Sequence, residues 1–445
     1  MIHDLTEGKP AKQLWLFSMP MLLSVVFQQM YNIVDSVVAG QCVGEDALAA
    51  VGSSYPITMI FMAIATGMNI GCSVIISQYF GAKKLREMKT AISTSLIAVL
   101  GISVILTIGG LAFCHPLLGL LNTPENIFAD SRLYLQVYLY GLVFLFLYNI
   151  CNGIFTALGD SKTPLYFLIA SSLGNIALDL LFVIEFKMGV GGVAWATFLC
   201  QGLAGVLAAC VLLIRLKKVQ TEPYKKFSLP MLGRIGVVAV PSVLQQSFIS
   251  VGNLCIQGLI NNHGSAAIAG YSAAVKLNTF ALTSFTTLAN GLSSFTAQNI
   301  GAGKLERVKQ GYRAGLKMGA CVVVPFILMY VALSGTAIQL FMQNGGTGAV
   351  ETGIEFLRII APFYVAVSVK IMTDGVLRGG GAMMPFMVAT FSDLILRVVL
   401  AFVLEPIYGL TGIWMSWPIG WVIATGISVF FYKKGLWIRK TSLTA

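Results

Sequence analysis

The sequence predicts an all-α polytopic membrane protein with twelve transmembrane helices in two pseudo-symmetric six-helix lobes. Of its 445 residues, 57% are hydrophobic and only 11% are charged, whereas a soluble domain carries about a quarter charged residues. The apolar residues form continuous runs rather than alternating ones, so the chain should cross the bilayer as helices and not as a β-barrel. The second half of the sequence also repeats the first.

Each half contains six apolar runs, and each run is long enough to cross a bilayer at about 20 residues per helix. The first six lie near residues 14–39, 47–80, 91–113, 127–157, 164–186 and 191–214. The second six lie near residues 235–260, 266–299, 312–335, 353–377, 385–404 and 411–432. The longest polar stretch, which contains two prolines, separates the two sets. We therefore predict an N-lobe (1–214), a cytoplasmic linker (215–234), a C-lobe (235–432) and a basic cytoplasmic tail (433–445).

The positive charges of the chain concentrate in alternate connections between the apolar runs. If the N-terminus is cytoplasmic, 22 of the 29 lysines and arginines lie on the cytoplasmic side. The positive-inside rule therefore predicts that both termini are cytoplasmic, which requires an even number of spans. The net charge of +11 thus reflects membrane orientation, and we expect no nucleic-acid partner.

The two halves of the sequence align with each other. GCSVIISQYFGAKKLREMK (71–89) matches GLSSFTAQNIGAGKLERVK (291–309) at a shift of 220. Pro20 and Asn32 of the first span fall opposite Pro241 and Asn253 of the seventh. Because each half has an even number of spans, the repeats have the same orientation in the membrane. This duplication is typical of alternating-access transporters, whose binding sites lie between or within the lobes.

Two acidic residues of the first half, Asp35 and Asp179, lie within predicted spans and have no lysine or arginine on the same helix. A carboxylate at the bilayer centre costs at least about 2.5 kcal/mol, so each should face a protein or water cavity. Without a cationic neighbour, such a carboxylate should be protonated or should hold a cation. Either state would allow the two residues to couple transport to an ion gradient.

Other polar side chains accompany these two carboxylates. Gln28, Asn32 and Asp35 are spaced along one face of the first span, and Asn175 shares a face with Asp179 on the fifth. Thr197 on the sixth span and Tyr134 on the fourth are further candidates. Carboxylate, amide and hydroxyl oxygens suit a hard cation such as Na⁺, and the same groups could share a proton. The alternative is that these groups only link helices by hydrogen bonds.

The second half has a different pattern of polar residues. Gln246, Asn253 and Gln257 form a stripe on the seventh span without an acid. Asp374 is spaced i,i+4 from Lys370, and Asp393 is spaced i,i+4 from Arg397, so each acid can pair with a cation on its own helix. We therefore expect ion chemistry in the first lobe and a mainly neutral, hydrogen-bonding wall in the second.

Sequence motifs of enzymes are not found. The three histidines are far apart in the sequence, and neither HExxH nor GxSxG occurs. The eight cysteines are scattered singly without a CxxC pair, which is typical of small core residues. We predict a protein that is not an enzyme and has no cofactor. A membrane-embedded lipid enzyme would need an acid/base or metal cluster. A receptor would not require an internal duplication.

The chain resembles one family of transporters over nearly its whole length, and the resemblance is most specific in three segments. They are QQMYNIVDSVVAGQCVGEDALAAVG (28–52), SQYFGAKKL (77–85) and NGIFTALGDSKTP (152–164). Together they resemble the multidrug and toxic compound extrusion (MATE) transporters. The resemblance implies twelve helices in two lobes that form a V. It also implies export of bulky, often cationic drugs in exchange for H⁺ or Na⁺, by a bacterial plasma-membrane protein that we expect to be a monomer.

The resemblance also suggests the roles of particular residues. It implies a first-lobe cation site for H⁺ or Na⁺ at Asp35, Asn175, Asp179 and Thr197, with Tyr134 as a fifth member. Asp374 resembles a second-lobe carboxylate of another branch, but Ile249 stands where that branch has a further acid, which favours coupling in the first lobe. We expect the substrate cavity to include Gln28, Asn32, Gln246, Asn253, Gln257 and Asp374. The alternative function is that of a flippase for lipid-linked or other amphipathic substrates, as in related members of the superfamily.

Overall fold

The computed structural model describes residues 3–38, 45–121, 123–339 and 346–438, with only the backbone described at 33–38 and 45–48. Within these ranges the chain is helical and contains no strand, which confirms the all-α prediction. The first half forms α1 (Pro10–Val38), α2 (Glu45–Gly81), α3 (Leu85–Leu120), α4 (Glu125–Ala157), α5 (Lys162–Leu180) and α6 (Gly189–Lys218). A π-helical turn, Leu181–Glu185, directly follows α5.

The second half repeats this succession of six long helices, with a short additional helix and one break within a helix. It forms α7 (Leu229–Asn261), α8 (Ser265–Gly301), α9 (Leu305–Ala332), the short α10 (Ser334–Gln339), α11 (Thr347–Ile360), α12 (Tyr364–Gly379), α13 (Met383–Tyr408) and α14 (Leu410–Lys433). A 3₁₀ turn at Ala361–Phe363 joins α11 to α12, so the predicted span 353–377 is not one continuous α-helix. Pro362 lies in this turn and removes a backbone donor.

Eleven helical segments in the described ranges are long and apolar enough to cross a membrane, with α11 and α12 counted as one. The remaining long helix of the predicted twelve is α8, which has 37 residues. Its sequence is rich in serine, threonine and asparagine, and it packs against α9, α11 and α12. Since neighbouring helices surround much of α8, its polar side chains can be satisfied by protein rather than exposed to lipid.

The chain divides into two compact units, and two of the three boundaries between them fall inside a helix. Unit 1 comprises Leu23–Val243 with Met1–Asp4, and unit 2 comprises Leu244–Ala445 with Leu5–Leu22. These two boundaries lie shortly after Pro20 in α1 and Pro241 in α7, the two prolines that the repeat relates. The lobe limits drawn at the linker 215–234 remain a prediction.

Unit 1 is built around α4, which packs against α2, α3 and α6. Small residues allow these close approaches: a Cβ added at Gly153 of α4 would overlap the side chain of Asn69 on α2. Unit 2 has an aromatic core in which Trp414, Trp417 and Tyr364 are almost fully buried. These two frameworks hold the polar side chains described next.

Candidate cation site in unit 1 and charged cluster in unit 2

Helix α5 carries two buried polar residues one turn apart. The side chains of Asn175 and Asp179 are 3% and 1% exposed. The helix is anchored at its start by Asp160, whose Oδ1 accepts hydrogen bonds from the backbone N–H groups of Lys162 and Thr163, both at 3.1 Å. The first turn of α5 is thereby fixed, and its far end presents Asn175 and Asp179 inside unit 1.

The Asp160 carboxylate is also held by a cation from α6. It accepts hydrogen bonds from the Thr163 hydroxyl at 2.7 Å and from the Arg215 guanidinium. Burial raises the pKa of Asp160, but the hydrogen bonds from Thr163 and Arg215 outweigh burial and lower the pKa to about 2. Asp160 therefore stays ionised at neutral pH and ties the start of α5 to the end of α6.

The amide of Asn175 can form hydrogen bonds in two orientations. In one, its nitrogen donates to the Tyr31 hydroxyl at 2.5 Å and to Asp179 Oδ2 at 3.2 Å, and its oxygen accepts from the Thr197 N–H at 3.1 Å. Rotated by half a turn, its oxygen accepts from Tyr31 but faces the Asp179 carboxylate, and its nitrogen faces the Thr197 N–H, so an ionised Asp179 disfavours this orientation. Two facing oxygens need a proton or a cation between them. The first orientation suits an ionised Asp179, and the second a protonated or cation-bound one.

Tyr31 is a member of this group that the sequence reading missed. It lies on α1, one helical turn before position 35, and its hydroxyl reaches Asn175 on α5. The i,i+4 spacing of Tyr31 and Asp35 was the available signal, but a tyrosine in an apolar run does not by itself indicate a site. The side chain of Asp35 lies outside the described residues, so its part in the site stays a prediction.

Tyr134 and Thr197 line one small cleft beside the Asn175 group. Val137, Tyr138, Phe198 and Gln201 complete much of its wall. Tyr134 is half-buried and packs against Ala50, Ile127 and Val190, whereas the backbone of Thr197 reaches Asn175. The structure thus brings Tyr31, Asn175, Asp179 and Thr197 together, with Tyr134 in the adjoining cleft.

The potential cation ligands of this site are hard oxygen atoms. In the part of the chain that the structure describes, no group of three or more His, Cys, Asp or Glu side chains lies together. A bound cation would be held by the Asp179 carboxylate, with the amide oxygen of Asn175 and the hydroxyl of Tyr31 as further ligands. These ligands fit Na⁺ or a proton, provided that the Asn175 amide turns its oxygen towards the carboxylate.

Five of the six predicted cavity residues lie on α1 and α7, and three of these five are exposed. On α1, Gln28 and Asn32 are exposed, and the Asn32 amide donates to Gln29 at 3.3 Å. On α7, Asn253 is exposed, and the Gln257 amide donates to Asn261 at 2.9 Å. Gln246 is half-buried. Exposed amides in a membrane protein suit a water-filled cavity, so the substrate-cavity assignment stays a prediction.

Asp374 belongs to a buried charged cluster in unit 2. Its carboxylate lies 3.1 Å from Lys370 Nζ, as the i,i+4 spacing predicts, and accepts a 2.6 Å hydrogen bond from Ser428. Lys370 also lies 3.4 Å from Asp393 on α13. Asp393 thus has a cationic partner on another helix in addition to Arg397 of its own helix, with which it interacts electrostatically. The Arg397 guanidinium stacks on Trp417.

Comparison with known proteins gives a consistent result. The MatE family profile matches residues 20–181 and 241–403, and these two matches correspond to the internal repeat. The chain is 30% identical over 442 residues to a probable multidrug resistance protein, YpnP, of Bacillus subtilis, covering 98% of this chain and 97% of that protein. It is 26% identical over 453 residues to another, YoeA, of the same organism, covering 98% and 96%.

A solved structure agrees with the fold. A MOP superfamily transporter from Pyrococcus furiosus superposes with a TM-score of 0.91 over 97% of each chain, at 23% sequence identity. At this level of identity the likeness establishes the fold alone, and that fold is the all-α architecture predicted from the sequence.

Proposed function

The chain belongs to the MatE family of transporters, and from this premise we propose that it exports bulky, often cationic organic compounds by antiport against H⁺ or Na⁺. The observation that carries the coupling part of this proposal is the buried carboxylate of Asp179 with Asn175 beside it in unit 1. The same carboxylate can be neutralised by either ion. The protein acts as a transporter and not as an enzyme, in the plasma membrane of a bacterium, as a monomer with both termini in the cytoplasm.

The two orientations of the Asn175 amide suggest how ion binding is sensed. When Asp179 is ionised, the amide nitrogen donates to it, and the amide oxygen accepts from Thr197 on α6. When a proton or Na⁺ neutralises the carboxylate, the amide oxygen can face it, and the bond to α6 is lost. Ion binding on α5 would therefore change a contact with the neighbouring helix, which gives the two states different ion affinities. Asp35, one turn after Tyr31, is the second proposed carboxylate of this site.

The substrate cavity of this proposal includes the amide side chains of α1 and α7 together with Asp374. Gln28, Asn32, Asn253 and Gln257 offer hydrogen bonds to polar groups of many compounds, which suits a broad specificity. Tyr134, Tyr138 and Phe198 add aromatic surface in the cleft that Thr197 also lines, and aromatic rings attract organic cations.

Efflux from proteoliposomes tests both parts of the proposal. The purified protein is reconstituted, and efflux of a fluorescent organic cation is followed under a pH gradient alone and under a Na⁺ gradient alone. We expect one of the two gradients to drive efflux. Efflux that depends on neither gradient would contradict antiport and favour the flippase. The flippase would then be tested by following the movement of a fluorescent lipid between the two leaflets.

A further inference from the structure

The segment between α6 and α7, residues 219–228, is held against α3 through its backbone. Lys89 of α3 donates a 2.6 Å hydrogen bond to the carbonyl of Val219. Ser93, one turn further along α3, donates a hydrogen bond of the same length to the carbonyl of Lys226. Two positions far apart in the segment are thus held by side chains that are neighbours on one face of α3. The segment therefore folds back, and its two ends lie close together.

Four lysines lie beside these two anchors, and the side chains of all four are exposed. We call them the lysine patch: Lys217, Lys218, Lys225 and Lys226. Because the anchors are backbone carbonyls, the ammonium groups of the patch are not used to hold the segment. In the described part of the chain, no carboxylate lies within ion-pair distance of any of the four. The acid of the segment, Glu222, lies 3.6 Å from Arg86 of α3 instead. The patch therefore has a surplus of positive charge.

The lysine patch directly follows side chains that face lipid. Leu213 and Ile214 of α6 are 51% and 56% exposed, and exposed apolar side chains of a membrane-crossing helix contact lipid tails. They lie one turn before the first two lysines of the patch, on the same face of α6. On α3, Ile97 is exposed one turn beyond the Ser93 anchor. Since a helical turn is about 5.4 Å long, the ammonium groups lie at the depth of the lipid headgroups.

Aromatic and apolar side chains are exposed among the lysines. Tyr224 and Phe227 of the segment are exposed, as is Leu229 at the start of α7. The ammonium of Lys89 lies 5.5 Å from the centre of the Tyr224 ring. Exposed rings and leucines gain little in water, whereas between lysines at the membrane surface they insert among the headgroups. The combination is therefore typical of a segment that lies on a bilayer.

We propose that the lysine patch binds the phosphates of anionic phospholipids, so that the segment between α6 and α7 is a lipid-binding site of unit 1. Each lysine next to an anionic membrane surface strengthens binding about fivefold. A zwitterionic lipid carries a positive group beside its phosphate and is attracted less. Free phosphate has the charge but no acyl chain to contact Leu213 and Ile214. This inference concerns the bilayer around the protein and does not depend on the proposed export function.

The test compares phosphatidylglycerol with phosphatidylcholine, both with the same dansyl-labelled acyl chain. Binding to the purified full-length protein in an uncharged detergent is measured by energy transfer from the tryptophans to the dansyl group. The patch variant replaces all four lysines: Lys217→Gln, Lys218→Gln, Lys225→Gln and Lys226→Gln. The matched control variant replaces four exposed cations of unit 2: Lys309→Gln, Arg313→Gln, Lys433→Gln and Lys434→Gln.

We expect the wild-type protein to bind phosphatidylglycerol about tenfold or more tightly than phosphatidylcholine. The patch variant should bind the two lipids within about twofold of each other, and the control variant should keep the wild-type preference. Thermal unfolding in the same detergent should be alike in all three proteins, because the replaced side chains are exposed.

Three outcomes would overturn the proposal. A patch variant that kept the preference would place lipid binding elsewhere, and a control variant that lost it too would show an effect of net charge alone. The third outcome is displacement of labelled phosphatidylglycerol by inorganic phosphate, at an ionic strength matched with chloride. Such displacement would show a site for free anions rather than for a lipid.

Discussion

Asn175 and Asp179 lie one turn apart on α5, and the amide nitrogen of Asn175 is 3.2 Å from the Oδ2 of Asp179 in the orientation that satisfies its other contacts. Both side chains are buried. A carboxylate that gained a proton or a cation would accept this hydrogen bond less well. This relationship links the charge of one residue to the hydrogen bonding of another, and it motivates the first two predictions.

Neutralising Asp179 should abolish ion-driven efflux. Asp179→Asn removes the charge that a proton or Na⁺ must balance, so gradient-driven dye efflux in proteoliposomes should fall to the protein-free background. Asp35→Asn should have the same effect. The matched control is Asp130→Asn, which changes an exposed carboxylate of α4 and should leave efflux intact. Normal efflux by the Asp35 and Asp179 variants would contradict the assignment of the coupling site.

Removing the Tyr31 hydroxyl should weaken coupling without abolishing it. Tyr31→Phe deletes one hydrogen bond to Asn175, and a single hydrogen bond contributes about 0.5–1.5 kcal/mol. We therefore expect the concentration of the driving ion that gives half-maximal efflux to shift by about two- to tenfold. Tyr140→Phe, at an exposed tyrosine of α4, serves as the control. A Tyr31→Phe protein with an unchanged ion dependence would show that this contact does not serve coupling.

Asp374 should influence substrate binding more than ion coupling. In Asp374→Asn, Lys370 keeps Asp393 as a partner, so the protein should fold, with a changed substrate affinity and an unchanged ion dependence. In the double variant Asp374→Asn/Asp393→Asn, Lys370 loses both carboxylates, and a buried charge without a partner costs about 3–5 kcal/mol. Thermal unfolding in detergent should show this difference. Loss of ion dependence in the single variant would instead place coupling in unit 2.

Asp160 should stabilise the start of α5 at neutral pH and lose this effect in acid. Because hydrogen bonds from Thr163 and Arg215 lower its pKa to about 2, its contribution is fully present above about pH 4 and is lost as the pH falls towards 2. At neutral pH, Asp160→Asn should lower the unfolding free energy by about 1–2 kcal/mol. On acidification, the unfolding free energy of the variant should fall by less than that of the wild type. An identical acid response in both proteins would contradict the assignment.

Coupling ion and cationic substrate should oppose each other. Both are stabilised by the negative charge in unit 1, so occupancy by the ion should weaken binding of an organic cation, and linkage requires the reverse effect to be equal. The measurement is the affinity of the purified protein for a cationic dye, across pH values from about 5 to about 8 and across Na⁺ concentrations. An affinity that responds to neither variable would contradict antiport at this site.

The sequence by itself determined the fold class, the repeat and which polar residues share one face of a helix. Continuous apolar runs allow only helices in a bilayer, and i,i+4 spacing places Asn175 and Asp179 on one face of a helix whatever its neighbours are. Lys370 and Asp374 could be paired from the sequence for the same reason. These inferences succeeded because they depend on local geometry within one helix.

Only the tertiary structure decided which helices meet. It placed Tyr31 of α1 beside Asn175 of α5, brought Lys370 of α12 within 3.4 Å of Asp393, and stacked Arg397 on Trp417 of α14. In each case the partner lies on another helix, and its position depends on how side chains of different segments pack. Spacing along the chain contains no information about such contacts, because a helix offers several faces and the sequence of one helix does not determine which neighbour covers each face.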